Sequence, residues 1–236
     1  MRPSQNIAVI ICAAGTSSRM GKKKEYQLLP SPGGKPITVL ASAVAAFASC
    51  KETGPIVITV PQGEEEAALS CLPHELIEKQ DRICFIAGGP SRRASVYNAL
   101  LHLRKYEPTH VLIHDGARPW IKVSLIEEII EGTVHHGAII PVMPLMETPK
   151  ELDAPTTSIK PGYIKTHLRR ETLCTAQTPQ GFSYPEILKA HEKAAERQGF
   201  EYTDDAEVWG EFIGRVAVIP GDPENKKITY PEDLIC

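Results

Sequence analysis

Ala13-Ala14-Gly15-Thr16-Ser17-Ser18-Arg19-Met20-Gly21, followed by Lys22-Lys23-Lys24, joins small residues to four cations within six positions. Small residues let the backbone approach a ligand and turn N–H groups toward an anion. Arg19 and the three lysines add fixed positive charge, which is what a triphosphate needs. Two better-known phosphate loops are excluded. Five residues, not four, separate Gly15 from Gly21, and Lys22 is followed by lysine rather than Ser or Thr. Ser17 stands where the dinucleotide fingerprint has its second glycine. A nucleotide site of another type is the reading. These residues alone leave open a strand–loop–helix turn with a solvated basic face.

Two further segments have the same character. Gly88-Gly89-Pro90-Ser91-Arg92-Arg93-Ala94-Ser95 and Asp115-Gly116-Ala117-Arg118-Pro119 each follow an apolar run. Polar residues recur later at Thr148, Lys150, Arg169-Arg170, Thr203 and Lys226-Lys227. Each also has a plainer reading. Arg92 and Arg93 can be exposed helix-start charges, Asp115 can cap a turn, and position alone does not separate Lys226 from Lys227.

The elements that must position these residues alternate. Strands are expected at Ile7–Cys12, Pro55–Val60, Ile83–Ala87, His110–His114 and Ala138–Val142. Helices are expected from Pro36 through Ala48 and at Glu64–Leu72, Val96–Arg104 and Ser124–Val134. Alternation of this kind implies an α/β fold, a mainly parallel sheet flanked by helices with right-handed crossovers. Ligands of such sheets bind outside the carboxyl ends of the strands, so the three loops should gather at one edge. From Met143 to Thr178 the pattern breaks, and four prolines punctuate short segments. That stretch reads as an arm leaving the core, within a single domain over 1–236 with the arm at about 143–172. Helices follow from Tyr184 and from Thr203-Asp204, then a strand at Val216–Ile219 and a short helix at Thr229–Ile235.

Composition narrows the class. Apolar and charged fractions of 42% and 23% are those of a globular protein. A net charge of −3 argues against a nucleic-acid partner, so the basic clusters are sites for small anions. The sequence predicts no membrane span and no signal peptide at Met1–Asn6. Six cysteines without a C-x-x-C pair, two of them inside strands, suggest a reducing cytoplasm. The eight histidines never form a zinc pattern.

The ordered set of motifs resembles the 2-C-methyl-D-erythritol 4-phosphate cytidylyltransferase family over nearly the whole chain. It comprises the Ala13–Gly21 loop, Lys24 before Tyr26, Gly88-Gly89 with Arg92 and Ser95, and His114 to Pro119. It continues with Thr148 and Lys150, Gln177-Thr178-Pro179-Gln180, Thr203-Asp204-Asp205-Ala206 and Asn225-Lys226-Lys227. Glu25, Pro90, Gly116 and Glu147 depart from the family's usual residues, and the loop from Leu29 to Lys35 is longer. The resemblance implies a Rossmann-like fold with a protruding dimerisation arm, and a homodimer. It implies transfer of CMP from CTP, with Mg2+, to a sugar-alcohol phosphate. Arg19, Lys24, Arg170 and Lys227 would be catalytic. Ala13, Ala14, Gly15, Thr16, Gly88, Gly89, Arg92 and Ser95 would hold the nucleotide, and Asp115, Arg118, Thr148 and Thr203 the acceptor. A pentitol phosphate as acceptor, another base, or a non-catalytic nucleotide-binding module are the competing readings.

Overall fold

The computed structural model describes residues 6–17, 20–30, 35–78, 81–153, 162–197 and 199–235. The central strand, β1 (Ile7–Cys12), is followed by a short ribbon of β2 (Leu28–Leu29) and β3 (Ile37–Thr38). Helix α1 (Val39–Ser49) leads to β4 (Thr53–Val60), then α2 (Glu65–Ser70), α3 (His74–Glu78) and β5 (Ile83–Ala87). Next come α4 (Arg92–Leu103), β6 (His110–Asp115), α5 (Val123–His136) and β7 (Ala138–Pro144). The last third contains β8 (Lys150–Leu152), β9 (Ile164–His167), β10 (Cys174–Ala176), β11 (Gln180–Ser183), α6 (Tyr184–Ala195), α7 (Asp205–Phe212) and β12 (Ala217–Pro220).

β1 lies in parallel between β4 and β6, and β5 flanks β4. The chain therefore builds outward on one side of β1 and crosses back to the other, which makes β1 the topological switch point. β11 runs antiparallel between β6 and β7, β10 continues along β7, and β12 pairs with β7 in parallel. The strands are apolar on both faces because both are covered. Ile7, Val9 and Ile11 pack with α1 and α5, whereas Ala8 and Ile10 pack with α4, α6 and α7. Each fully buried Ile or Val side chain among them contributes about 1.5–3 kcal/mol. Among the described residues, no helix is long and apolar enough to cross a membrane.

Three expectations are corrected. Pro36 does not open α1: Ile37 and Thr38 pair with β2, and the Thr38 hydroxyl caps the helix by accepting the Ala41 N–H at 3.1 Å. The single helix expected over Glu64–Leu72 ends at Ser70, and a second one starts after Pro73. Proline disfavours helical backbone in the residue before it. The stretch before Tyr184 holds β10 and β11, the antiparallel strands that fill the gap between β6 and β7. β8 and β9 form a separate two-stranded sheet, near which Met146 and Tyr163 are each 80% exposed.

α5 crosses β11 so closely that Gly181 has no room for a side chain. A Cβ there would lie 1.9 Å from Thr133 Oγ1 and 2.9 Å from Ile129 Cγ2. Gly181→Ala should therefore cost about 1–3 kcal/mol through overpacking. Urea unfolding should show a lower midpoint at unchanged slope.

Candidate active site

The sheet register brings the loops level. Cys12, at the end of β1, stands opposite Thr59 of β4 and Asp115 of β6, and Val60 stands opposite Ala87 of β5. Beyond these residues lies a cleft of about 300 Å³. Ala14, Gly15 and Thr16 line it from the first loop, Lys24 and Glu25 from the following turn, and Gly89, Arg92 and Ser95 from the third. Asp115 and Lys227 line its opposite side. Some backbone donors are used in building the cleft. The Ala13 N–H bonds Thr59 O at 2.9 Å, that of Gly88 bonds Val60 O at 2.7 Å, and that of Gly89 bonds Ser95 Oγ at 3.0 Å. Gly88 must be glycine for a packing reason, since a Cβ there would sit 2.4 Å from that of Ala14.

Asp115 is the electrostatic centre. Its Oδ2 lies 2.7 Å from Lys227 Nζ and 3.7 Å from Arg118 Nε, and its Oδ1 lies 3.5 Å from Arg92 Nε. Burial by itself raises a carboxyl pKa. Here Arg92, Lys227 and Arg118 outweigh that burial and hold Asp115 far below the usual carboxylate range. Arg92 in turn donates from Nη1 to Asp205 Oδ2 at 2.8 Å, and Asp205 Oδ1 accepts from His191 Nε2 at 3.1 Å. Asp205 and His191 are completely buried.

The Gln177–Gln180 segment fastens the parts together. Thr178 Oγ1 accepts the Asp115 N–H at 3.1 Å and donates to His114 Nδ1 at 3.0 Å. His114 Nε2 then donates to Arg118 O at 3.1 Å, so the ring is neutral with its proton on Nε2. Gln177 bonds Asp222 through both ends of its amide, and Asn225 Nδ2 donates to Thr178 O at 2.8 Å. Arg118 Nη1 reaches Asn225 O at 2.8 Å, and the Ile228 N–H reaches Ala117 O at 2.8 Å. These bonds hold the segment that carries Lys227. Gln180 Oε1 accepts the N–H of Asp205, and its Nε2 donates to Asp204, the N-cap of α7.

At the other end of the cleft, Ser17 takes a positive φ of 51°. Its hydroxyl donates to Glu25 Oε2 at 3.1 Å and accepts the Lys24 N–H at 3.4 Å. Glu25 is buried, and that burial pushes its carboxyl pKa up.

Of the sixteen expected site residues, Ala14, Gly15, Thr16, Lys24, Gly89, Arg92, Ser95, Asp115 and Lys227 line the cleft. Ala13, Gly88 and Arg118 support it from behind through the bonds above. Arg19 lies outside the described residues. Thr148, Arg170 and Thr203 are exposed and do not line the cleft. Arg170 Nη1 bonds Met146 O at 2.9 Å, and the Thr203 hydroxyl bonds Glu207 Oε2 at 2.8 Å. Sequence reasoning assigned no role to Asp205, His191, Gln180 or Thr178. A signal for His191 was present: it falls on the same helical face as Ile187 and Ala194, a polar residue in an apolar stripe.

Known proteins resemble the chain in sequence and in fold. The family model described as 2-C-methyl-D-erythritol 4-phosphate cytidylyltransferase (IspD) matches residues 7–236. The bifunctional enzyme IspD/IspF of Brucella abortus is 33% identical over 228 residues, covering 94% of this chain and 54% of that protein. The chain thus spans about half the length of several curated relatives it matches. The 2-C-methyl-D-erythritol 4-phosphate cytidylyltransferase of Bacillus mycoides is 33% identical over 227 residues, covering 96% of this chain and 94% of that one. The crystal structure of 4-diphosphocytidyl-2C-methyl-D-erythritol synthase from Anaerococcus prevotii superposes with a TM-score of 0.79 at 26% identity, covering 98% and 94% of the two chains.

The buried groups dictate how stability responds to acid. His114 has its pKa lowered by burial from 6.5 to about 4. As pH falls below 6.5 the unfolded chain takes up a proton that the folded chain refuses until about pH 4. Stability should therefore drop by about 3 kcal/mol across that window and no further from this group. Asp115 and Asp205, both depressed below 3.8, add a second loss only beneath that value. Urea unfolding from pH 7 to pH 4 should show the first decline in the native protein and a flatter profile in His114→Gln.

Proposed function

The chain belongs to the 2-C-methyl-D-erythritol 4-phosphate cytidylyltransferase family, and on that premise we propose that it moves CMP from CTP to 2-C-methyl-D-erythritol 4-phosphate. The products are pyrophosphate and 4-diphosphocytidyl-2-C-methyl-D-erythritol. The observation that carries this reading is a cleft that has the small-residue loop and Lys24 on one wall and the Asp115–Lys227 pair on the other.

A phosphate monoester oxygen attacks the α-phosphorus in line, a new P–O bond forms, and the bond to pyrophosphate breaks. The nucleophile is already an anion near neutral pH, so no general base is needed. Catalysis comes from positioning and from neutralising charge on the phosphoryl group. In this proposal Ala13 to Thr16, Gly88, Gly89 and Ser95 hold the nucleotide. Lys24 and Arg19 stabilise the charge that develops around the α-phosphate, and Lys227 and Arg170 hold the incoming phosphate. Asp115 contacts the polyol hydroxyls, with Thr148 and Thr203 as further acceptor contacts. Arg92 and Arg118 act as counter-ions that keep Asp115 ionised. The reaction is assigned to the cytoplasm.

Mg2+ is placed with the nucleotide. Among the described residues, no three His, Cys, Asp or Glu side chains are grouped to cage a metal. Of the two carboxylates that line the cleft, Glu25 is bonded to Ser17 and Asp115 is held by three cations. The ion would therefore take its ligands from phosphate oxygens and water and, when bound, spread the charge of the triphosphate.

Arg170 and Thr148 lie on the arm, outside the cleft of their own chain. We propose that in a homodimer they complete the partner's site. Met146 and Tyr163, both strongly exposed on that arm, are the apolar surface such a dimer would cover.

Pyrophosphate release, assayed with four nucleoside triphosphates crossed against methylerythritol phosphate and ribitol phosphate, tests the reaction. Turnover is expected with CTP and methylerythritol phosphate and is lost in excess chelator. Equal rates with ATP, or a preference for ribitol phosphate, overturn the assignment.

Lys24→Ala and Arg19→Ala should each lower kcat about a hundredfold or more, with a much smaller rise in the KM for the acceptor. Refolding Lys24→Ala together with Arg170→Ala chains tests the arm. If Arg170 acts in trans, one site of each mixed dimer carries both lesions and the other neither. About a quarter of all sites then recover. No recovery, with mixed dimers confirmed by mass, returns Arg170 to its own chain.

A further inference from the structure

We propose that His191 and Asp205 form a buried positioning relay that holds Arg92, and through it the Asp115–Lys227 pair, in place for the acceptor phosphate. The proposal rests on the reading of Asp115 and Lys227 as acceptor-side contacts.

Neither residue reaches the cleft: both side chains are fully buried between α6 and α7. The other buried residues of the two helices are mostly apolar, including Ile187, Ala194, Val208 and Trp209. A buried ion pair in such a place contributes little to stability compared with apolar packing, so the arrangement is better explained by the geometry it enforces. That geometry is complete. The Asp205 N–H is fixed by Gln180 Oε1 at 3.1 Å, Oδ1 accepts from His191 Nε2, and Oδ2 accepts from Arg92 Nη1. His191 Nδ1 has no hydrogen-bond partner among the described residues, so Asp205 is the ring's polar contact. A guanidinium is a rigid planar fork. Fixing Nη1 on Asp205 therefore aims Nε at Asp115 Oδ1 and leaves Oδ2 to Lys227. With the Asp205 anchor gone, Arg92 is free to swing fully onto Asp115 and displace Lys227.

The test uses Asp205→Asn, His191→Leu and His191→Gln in the full chain, with CTP affinity measured by calorimetry without acceptor. Asp205→Asn and His191→Leu should raise the KM for methylerythritol phosphate about tenfold, the effect of losing one charge-assisted hydrogen bond. CTP affinity should change by less than about twofold, since a purely structural lesion would act on both substrates alike. His191→Gln keeps an N–H donor and should restore much of the KM. If the buried variants fold poorly, Arg92→Lys serves, because an ammonium is a point charge without the rigid fork that fixes Nη1 on one carboxylate and aims Nε at the other, and the same KM rise is expected. Substrate-free crystal structures of the native protein and Asp205→Asn give a readout independent of turnover: Lys227 should leave Asp115 in the variant. If the native protein fails to use methylerythritol phosphate, the proposed function is lost, and that structural comparison still decides the relay. An unmoved Lys227, an unchanged acceptor KM in a folded variant, or CTP affinity falling in step with it overturns the relay.

Discussion

A carboxylate that is 8% exposed must be paired or protonated, and Asp115 is paired with three cations. Much of the site's organisation answers to that requirement. Arg92 comes from the first turn of α4, Arg118 from the turn after β6, and Lys227 from the segment near the C-terminus. Segments more than a hundred residues apart in sequence are thus held to one point by charge. Because Arg92 itself reaches a second buried carboxylate, the charges continue inward to α6 and α7 instead of ending at the cleft.

Attraction alone would collapse these groups on one another. Their spacing is set by neutral hydrogen bonds from a strand that enters the sheet against the prevailing direction. β11 is antiparallel to both its neighbours, and the residues leading into it point at three different elements. Gln177 fixes the segment carrying Lys227, Thr178 fixes β6 beside Asp115, and Gln180 fixes the start of α7 beside Asp205. Each is nearly or fully buried, so a missing partner would leave an unsatisfied polar group in the interior. The same short run of chain therefore closes the sheet and sets the distances among the charged residues.

The cleft so formed is rich in cations, and among the described residues that line it there is no nucleophile-and-base pair of the kind used in acyl transfer. That composition suits a reaction in which both partners arrive as phosphates. Glu25 is an acidic exception. Its burial and its bond to Ser17 place it where it shapes the turn carrying Lys24, a task that hydrogen bonding accomplishes with or without the charge.

How much of this was legible in the sequence follows from the range of the interactions. β1, β4, β5, β6 and the crossover helices announce themselves because apolar runs and helix signals are local, and their alternation implies a parallel sheet. The gathering of three loops at one edge follows from that topology, and Ala14, Gly15, Lys24 and Asp115 were visible as small or charged residues at strand ends. β10 and β11 were not, since they are short, interrupted by Pro179, and defined by pairing with strands already formed. Arg92 could be singled out, but whether its charge meets a nucleotide or a carboxylate depends on where α7 packs. His191 and Asp205 lie fourteen residues apart in sequence and touch only because α6 and α7 fold against the same face of the sheet. The sequence by itself determined which residues carry charge and which strands present them. Only the tertiary structure decided which of those charges neutralise one another, because burial and ion pairing depend on distances that no local pattern encodes.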